Sequence, residues 1–252
     1  MATMIIGAWL ALWLWEQSPY GHYLNHGQLI EPGPGGHGGH AHASTTLSAL
    51  VFLGGWVLMS AAMMLPTTLP LLEIFRRLTR KRQDTASLVT LVVAGYLTAW
   101  LLFGIVAHLM SWVVSAILMQ LEWVRLNSWL LAVMVLGTAG VFQFTDLKYK
   151  CLDKCRSPLS FVLRHWRGGR PQQQALTLGI HNGIYCVGCC WALMLLMFIV
   201  STGSLGWMLL LGAVMAAEKN LPNGRYLARP LGFLLLAAAA LVAVQNYPAL
   251  SP

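Results

Sequence analysis

Charged side chains are scarce in this chain. Only 10% of its 252 residues are Asp, Glu, Lys or Arg, whereas ordinary soluble domains carry about 25%. Hydrophobic residues make up 57% instead, and the mean hydropathy is +0.64. This balance excludes an ordinary soluble domain and indicates a protein that resides in a lipid bilayer.

Motifs of the common energy-using and hydrolytic enzymes are also missing. The sequence contains no P-loop, no nucleophile elbow and no dinucleotide fingerprint, which argues against an ATP-driven pump or a hydrolase. We therefore favour a protein that is not an enzyme. The first apolar segment lacks the basic start and small-residue cleavage site of a signal peptide, so we interpret it as an anchor helix.

The basic residues are confined to a few places. Of the 16 Lys and Arg residues, only Arg125 lies outside three short stretches, 76–82, 148–170 and 219–229. Basic clusters in alternate short loops are typical of the cytoplasmic side of a multi-spanning membrane protein. The net charge of +8 is thus explained by topology, and we expect no nucleic-acid partner.

Long apolar runs predict the fold class. A helix needs about 20 apolar residues to cross the hydrocarbon core. We expect an all-α bundle of about seven transmembrane helices that forms a single domain over residues 1–252, with a cytoplasmic N-terminus. The predicted spans are residues 3–17, 47–70, 87–115, 127–145, 175–201, 205–218 and 230–248.

Two segments lie outside the predicted spans. Residues 18–46 form a loop too rich in Gly and Pro for a helix, which we place outside the cytoplasm. Its histidines would capture metal weakly: His22, His26, His37, His40 and His42. Residues 146–174 form a basic cytoplasmic loop in which apolar residues recur at helical spacing. This pattern predicts a helix that lies on the membrane surface or packs under the bundle.

The fifth span contains a cluster of metal-binding residue types, "GIHNGIYCVGCCW" (179–191). At about 100° per helical residue, Cys186, Cys189 and Cys190 share one face about 100° wide. His181 lies about 80° from Cys189 and joins the thiols only if the helix loosens. Thiolates select soft ions such as Cu(I), or Zn when imidazole takes part. We expect a metal site that favours copper over zinc, in which a nearby cation or helix terminus balances the negative charge of two thiolates on Cu(I).

Three further features support the metal interpretation. Cys151 and Cys155 form a C-x-x-x-C pair in the basic loop, suited to Cu(I) or to half of a tetrahedral site. Met63 and Met64 precede Pro66, which removes a backbone hydrogen bond and frees the carbonyl of Ala62. Glu218 is the acidic residue nearest to a span on the inner side, and it could be a ligand, a proton acceptor or a helix-end charge.

Four stretches of this sequence together resemble a known family. They are "SAAMMLPTTLPLL" (60–72), "GVFQFTDLKYKCLDKCRSPLSFVLRHWRGG" (140–169), "GIHNGIYCVGCCWALMLLMF" (179–198) and "WMLLLGAVMAAEKNLPNG" (207–224). In this order they resemble a bacterial family of predicted metal-binding integral membrane proteins, a domain of unknown function. The resemblance implies a multi-pass protein of the bacterial inner membrane. Its motif residues correspond here to Met63, Met64, Pro66, Cys151, Cys155, His181, Cys186, Cys189, Cys190, Glu218 and Lys219.

Three functions are compatible with these residues. The first is uptake, transfer or delivery of Cu(I), with a metallochaperone as a candidate partner. The second is an accessory subunit of a membrane metalloenzyme complex, such as a copper-dependent monooxygenase or oxidase. The third is a thiol-disulfide oxidoreductase that uses the C-x-x-C of Cys186 and Cys189. The third is weakened because the other cysteine pair falls on the cytoplasmic side in the predicted topology.

Overall fold

The structure, a computed structural model, describes residues 2–17, 43–120, 129–166, 169–198 and 205–246. Within these ranges the chain folds into nine α-helices, with no strand. They are α1 (Ala2–Glu16), α2 (Ala43–Thr79), α3 (Thr85–Gln120), α4 (Trp129–Phe142), α5 (Asp146–Cys155), α6 (Pro158–His165), α7 (Pro171–Leu195), α8 (Leu205–Asn220) and α9 (Gly224–Asn246). A short 3-10 turn, Leu196–Phe198, continues α7. The all-α prediction is confirmed for the part of the chain described.

Four helices are long and apolar enough to cross a membrane. They contain the stretches Phe52–Thr79, Thr85–Val114, Pro171–Leu195 and Gly224–Asn246, and they correspond to four of the predicted spans. Helices α4 and α5 count as a fifth span if the pair, bent by 64°, is taken as one. The predicted spans at 3–17 and 205–218 are helices of 15 and 16 residues, shorter than the roughly 20 that a crossing needs.

The main packing surface joins α3 to α7. Glycines allow the two helices to approach until backbone touches backbone: a Cβ at Gly179 would collide with the Val92 carbonyl, and one at Gly183 would lie 2.6 Å from the Ala99 Cβ. Small residues at a helix interface are typical of membrane proteins. Helix α7 remains helical from Pro171 to Leu195, so these glycines permit close approach without loosening the helix.

Helix α2 contains Pro66 in its interior. The Ala62 carbonyl that this proline leaves without an intrahelical donor instead accepts a hydrogen bond from Trp9 Nε1 of α1 at 3.1 Å. One turn later, the Thr67 hydroxyl donates to the Met64 carbonyl at 2.7 Å. These bonds satisfy the backbone around the proline and attach α1 to the middle of α2.

The basic segment 146–174 is largely helical. Helix α6 packs under the bundle, where Phe161 and Val162 are buried and Trp166, just after the helix, meets Phe75 of α2 edge-on at 5.0 Å. Leu159 and Leu163 on the same helix remain exposed. Of the two arrangements predicted for this segment, the structure contains the packed helix, with an apolar edge left uncovered.

Candidate metal centre

Three thiols line the buried face of α7. Cys186, Cys189 and Cys190 each expose 2% or less of their surface, as the i, i+3, i+4 spacing predicts. The Cys189 and Cys190 thiols donate to the Cys186 carbonyl, at 3.1 and 2.8 Å. Because these bonds involve only the thiols' own helix, the sulfurs remain available for another partner after a side-chain rotation.

A buried ammonium group lies beside the first of these thiols. Lys219 Nζ, at the end of α8, is 2.7 Å from Cys186 Sγ and 3.2 Å from Thr67 Oγ1. The Tyr96 hydroxyl is 2.9 Å from the same sulfur. A buried charge is costly unless it is paired, and of these partners the thiol is the one that readily becomes an anion. Cys186 is therefore the group in this contact that can supply a negative charge to match the ammonium.

The C-x-x-x-C pair of α5 reaches the same region. Gly188 lies against Cys151, whose Sγ is 2.8 Å from where a Cβ of residue 188 would be. The side chain of Cys155 interacts with that of Cys189. All five cysteines of the chain are thus gathered where α5 crosses α7, although the two groups are about 30 residues apart in sequence.

One methionine sulfur joins the cluster from α2. Met64 is fully buried, and its Sδ is 3.9 Å from Cys190 Sγ. Met63, also buried, instead lies against Gly212 of α8, with its Cγ 3.7 Å from where a Cβ there would be. The structure thus brings Met64, and not Met63, into contact with a thiol.

Glu218 is committed to a buried ion pair. Both of its carboxylate oxygens accept from Lys148 Nζ at 2.8 Å, and the two side chains are 2% and 0% exposed. Lys148 also donates to Gln143 Oε1. The bend between α4 and α5 positions this contact, because it turns Gln143 and Lys148 toward the end of α8. Glu218 is therefore placed as a structural anion, next to the lysine that contacts Cys186.

The structure does not bring His181 to the thiols. His181 is exposed, and its ring lies 5.0 Å from that of His165 on α6. Since α7 is a regular helix here, nothing turns this face toward Cys189. The other predicted histidine ligands, His22, His26, His37, His40 and His42, fall outside the described residues.

The donor atoms present are sulfurs, which are soft metal ligands, but they are not arranged around a common metal position. Among the described residues, no group of three or more His, Cys, Asp or Glu side chains is placed to hold a metal ion. Thiolates together with a thioether nonetheless suit Cu(I). Two thiolates on Cu(I) carry one net negative charge, which the Lys219 ammonium would cancel. The donor set and its charge therefore fit a monovalent copper ion bound after small side-chain movements.

The residues that sequence reasoning missed are the polar partners of Cys186 and of Glu218. In the sequence, Lys219 stands out only as a member of a basic stretch and of the family motif, and Lys148 is one basic residue among several in its loop. A usable signal exists for Lys219, because it stands beside Glu218 at the end of the apolar run that forms the predicted sixth span. No comparable pattern marks Lys148, Gln143 or Tyr96, whose roles depend on which helices meet.

Comparison with known families adds an independent finding. The profile of the family PpoB2, described as "Copper chaperone", matches residues 53–242. This match covers more than half of the chain, so the chain belongs to that family, and the expected link to copper is confirmed at this level. No curated protein and no solved structure is significantly similar to the chain.

Proposed function

We propose, from its membership in this copper chaperone family, that the chain binds Cu(I) within the membrane and passes it on by exchange between sulfur ligands. The binding site is the face of α7 formed by Cys186, Cys189 and Cys190, with Met64 as a thioether donor. Copper is the cargo of this protein and not a catalytic cofactor. No change in its oxidation state is required.

One observation carries this proposal. All five cysteines meet in one region, and a buried lysine contacts one of them at 2.7 Å. A cluster that served only for packing would not need an ammonium group, since Cys readily packs as a small hydrophobe. A charged group at this depth is costly in a membrane and indicates function.

The charge balance supports Cu(I) ahead of zinc. With two thiolates, Cu(I) gives a complex of charge −1, which Lys219 neutralises, whereas a divalent ion gives a neutral complex and leaves the ammonium uncompensated. The thioether of Met64 acts in the same direction, since soft thioether ligands select Cu(I). The neighbouring ion pair of Lys148 and Glu218 is neutral by itself and does not alter this balance.

The position of α5 supports a transfer route. Cys151 and Cys155 lie on a short helix of the basic segment, and Cys155 interacts with Cys189 on α7. Copper held by the α5 pair can therefore pass to the α7 group one sulfur at a time, each bond to an α5 sulfur breaking as a bond to an α7 sulfur forms, and it can leave by the reverse steps. This arrangement suits a protein that both receives and releases the ion.

The membrane location is part of the proposal. Four helices have the length and apolarity for a crossing, and the basic stretches would lie on the cytoplasmic side of a bacterial inner membrane. In that orientation, α5 and the thiol cluster are reached from the cytoplasm. Copper would then be exchanged with a cytoplasmic carrier or a membrane partner.

The test is copper content with and without the central thiols. Protein purified under reducing conditions from copper-supplemented cells should carry near-stoichiometric copper with sulfur neighbours in X-ray absorption spectra. The double variant Cys186→Ser with Cys190→Ser should lose most of it. Ala175→Ser, which places a hydroxyl at another buried position of α7, should retain copper. Equal copper in the double variant and in the control would contradict the proposal.

A further inference from the structure

A polar cavity of about 120 Å³ lies beside the thiol cluster. One water molecule needs about 10–15 Å³ on this measure, so the cavity has room for a small organic group. Its wall includes Cys155, Arg156, Asn182, Cys186 and Lys219, contributed by α5, α7 and α8 and by the residue that follows α5. It thus borders both groups of cysteines.

The wall of this cavity is rich in hydrogen-bond donors. It contains the ammonium of Lys219 and the guanidinium of Arg156, and none of the described residues that line it is acidic. Arg156 is held in place because it donates to the carbonyls of Glu218 and Pro222 at 2.7 and 2.6 Å. Even when Cys186 is a thiolate, the two cations leave the wall with a net positive charge, which is complementary to an anion.

Asn182 adds a donor that is still available. This residue is only 5% exposed, and its Nδ2 has no hydrogen-bond partner among the described residues. A buried donor without a partner is destabilising, so an unpaired amide in a wall of this kind calls for an acceptor. That acceptor is one that the protein itself does not supply at this position.

Another part of the cavity wall carries sulfur atoms, which are soft metal ligands. The sulfur-bearing residues Cys155 and Cys186 form part of the same wall. A ligand that satisfies both sides carries a hard anionic group, such as a carboxylate, within a few bonds of a sulfur. Small thiols with a carboxylate combine these two groups, and a thiolate is also a ligand for Cu(I).

We infer that this cavity binds the carboxylate of a small thiol that carries Cu(I), with Asn182 and Lys219 as its recognition groups. The inference rests on the proposed function and specifies the form in which copper arrives or leaves. In the transfer step, a bond forms between copper and a protein sulfur while the bond to the carrier sulfur breaks. When a neutral protein thiol accepts the copper, its proton passes to the departing carrier thiolate; when a protein thiolate accepts it, the carrier leaves as a thiolate that takes its proton from water. Copper remains Cu(I) throughout.

The experiment compares two carriers that differ in one group. Metal-free, reduced protein in detergent is titrated with Cu(I) bound to N-acetylcysteine, and separately with Cu(I) bound to N-acetylcysteine amide, which lacks the carboxylate. Copper retained after desalting is measured at each concentration. We expect half-loading at about tenfold lower concentration with the acid, the size expected for a hydrogen bond to a charged group. Equal half-loading would overturn the inference.

A matched pair of variants tests the recognition group. Asn182→Leu removes the donor at similar volume and should abolish the preference for the acid. Gln172→Leu makes the same kind of change on the exposed first turn of α7 and should keep the preference. A preference that persists in Asn182→Leu would overturn the assignment of Asn182.

A third measurement does not depend on any variant. Acetate should raise the half-loading concentration for the acid carrier and leave that for the amide carrier unchanged. If acetate competes with neither carrier, no carboxylate site exists and the inference fails. Absence of copper loading from both carriers would instead contradict the proposed function, so the two failures are distinguishable.

Discussion

Two lysines are buried at the same end of the helix bundle, and they differ in the group that each contacts. Lys148 donates to both oxygens of Glu218 at 2.8 Å and is fully buried. Lys219, the next residue after that glutamate, contacts the sulfur of Cys186 at 2.7 Å. Neighbouring positions on α8 thus take part in two contacts of different chemistry, an ion pair at Glu218 and a hydrogen bond to a sulfur at Lys219.

This difference indicates separate roles for the two pairs. A carboxylate that is already paired has little to gain from a soft metal, so the pair of Lys148 and Glu218 ties the bend after α4 to the end of α8. A thiolate is itself a soft ligand. Under the proposed function, Lys219 would stabilise Cys186 as a thiolate ligand and would offset the charge of a Cu(I) ion bound to it.

The largest expected effect is on folding, from the carboxylate pair. Lys148→Met leaves Glu218 buried without a partner and should lower the free energy of unfolding by about 3–5 kcal/mol. Thermal unfolding in detergent measures the loss. The double variant Lys148→Met with Glu218→Leu should recover most of the stability, because buried ion pairs are often replaceable by apolar groups. A double variant as unstable as the single one would contradict this account.

The second-largest expected effect is on copper affinity, and it comes from the contact between Lys219 and Cys186. Lys219→Met should raise the dissociation constant for Cu(I) by about 30-fold, roughly 2 kcal/mol, or half of the 4 kcal/mol expected for unit charges about 4 Å apart at an effective dielectric constant of 20. Competition with a chromophoric Cu(I) chelator measures it. Stability should change little, because Cys186 can then remain a neutral thiol.

Two controls separate charge from packing at position 219. Lys219→Arg keeps the charge and should retain more affinity than Lys219→Met. Lys81→Met removes a lysine from the exposed loop between α2 and α3 and should leave the affinity unchanged. If Lys219→Met binds copper as well as the unaltered protein does, the role in copper binding that distinguishes Lys219 from Lys148 is wrong.

A smaller effect is expected on metal selectivity. Met64→Leu removes the thioether that lies 3.9 Å from Cys190 and should reduce the preference for Cu(I) over Zn(II) in a competitive titration. Its cost in stability should stay below about 1.5 kcal/mol, since the two side chains have similar volumes. Met215→Leu, at a buried position of α8, is the matched control and should preserve selectivity. An unchanged selectivity in Met64→Leu would remove the thioether from the site.

The smallest effect is expected at His181. Because its ring is exposed and lies against His165, His181→Ala should leave the copper content unchanged and alter the stability by no more than about 0.5 kcal/mol, as for most surface substitutions. Elemental analysis of the purified variant is the measurement. A clear drop in bound copper would restore this histidine as a ligand.

Much of the helical framework was predictable because it depends on local sequence. The apolar runs predict the long helices, and the spacing of Cys186, Cys189 and Cys190 places them on one face whatever that helix packs against. The freed carbonyl at Ala62 follows from Pro66 alone, although its acceptance of a bond from Trp9 does not. Such features need only the geometry of a single helix.

The rest of the site could not be predicted because it depends on contacts between distant segments. Cys151 reaches α7 since Gly188 leaves space for its sulfur, and Lys148 turns inward because the chain bends by 64° after α4. From the sequence, the glycines of α7 are compatible with a loosened helix or with close packing. In the structure, α7 stays helical and packs closely against α3. His181 consequently lies on the exposed face of α7.

The amino-acid sequence alone determined that this protein is helical and apolar and that it holds three thiols on one stretch of helix, since each of these properties follows from residue type and helical period. Only the tertiary structure decided which side chains share the interior with those thiols. A buried ammonium needs a polar partner within a few ångströms, and for Lys219 one such partner is the sulfur of Cys186, 33 residues earlier in the chain.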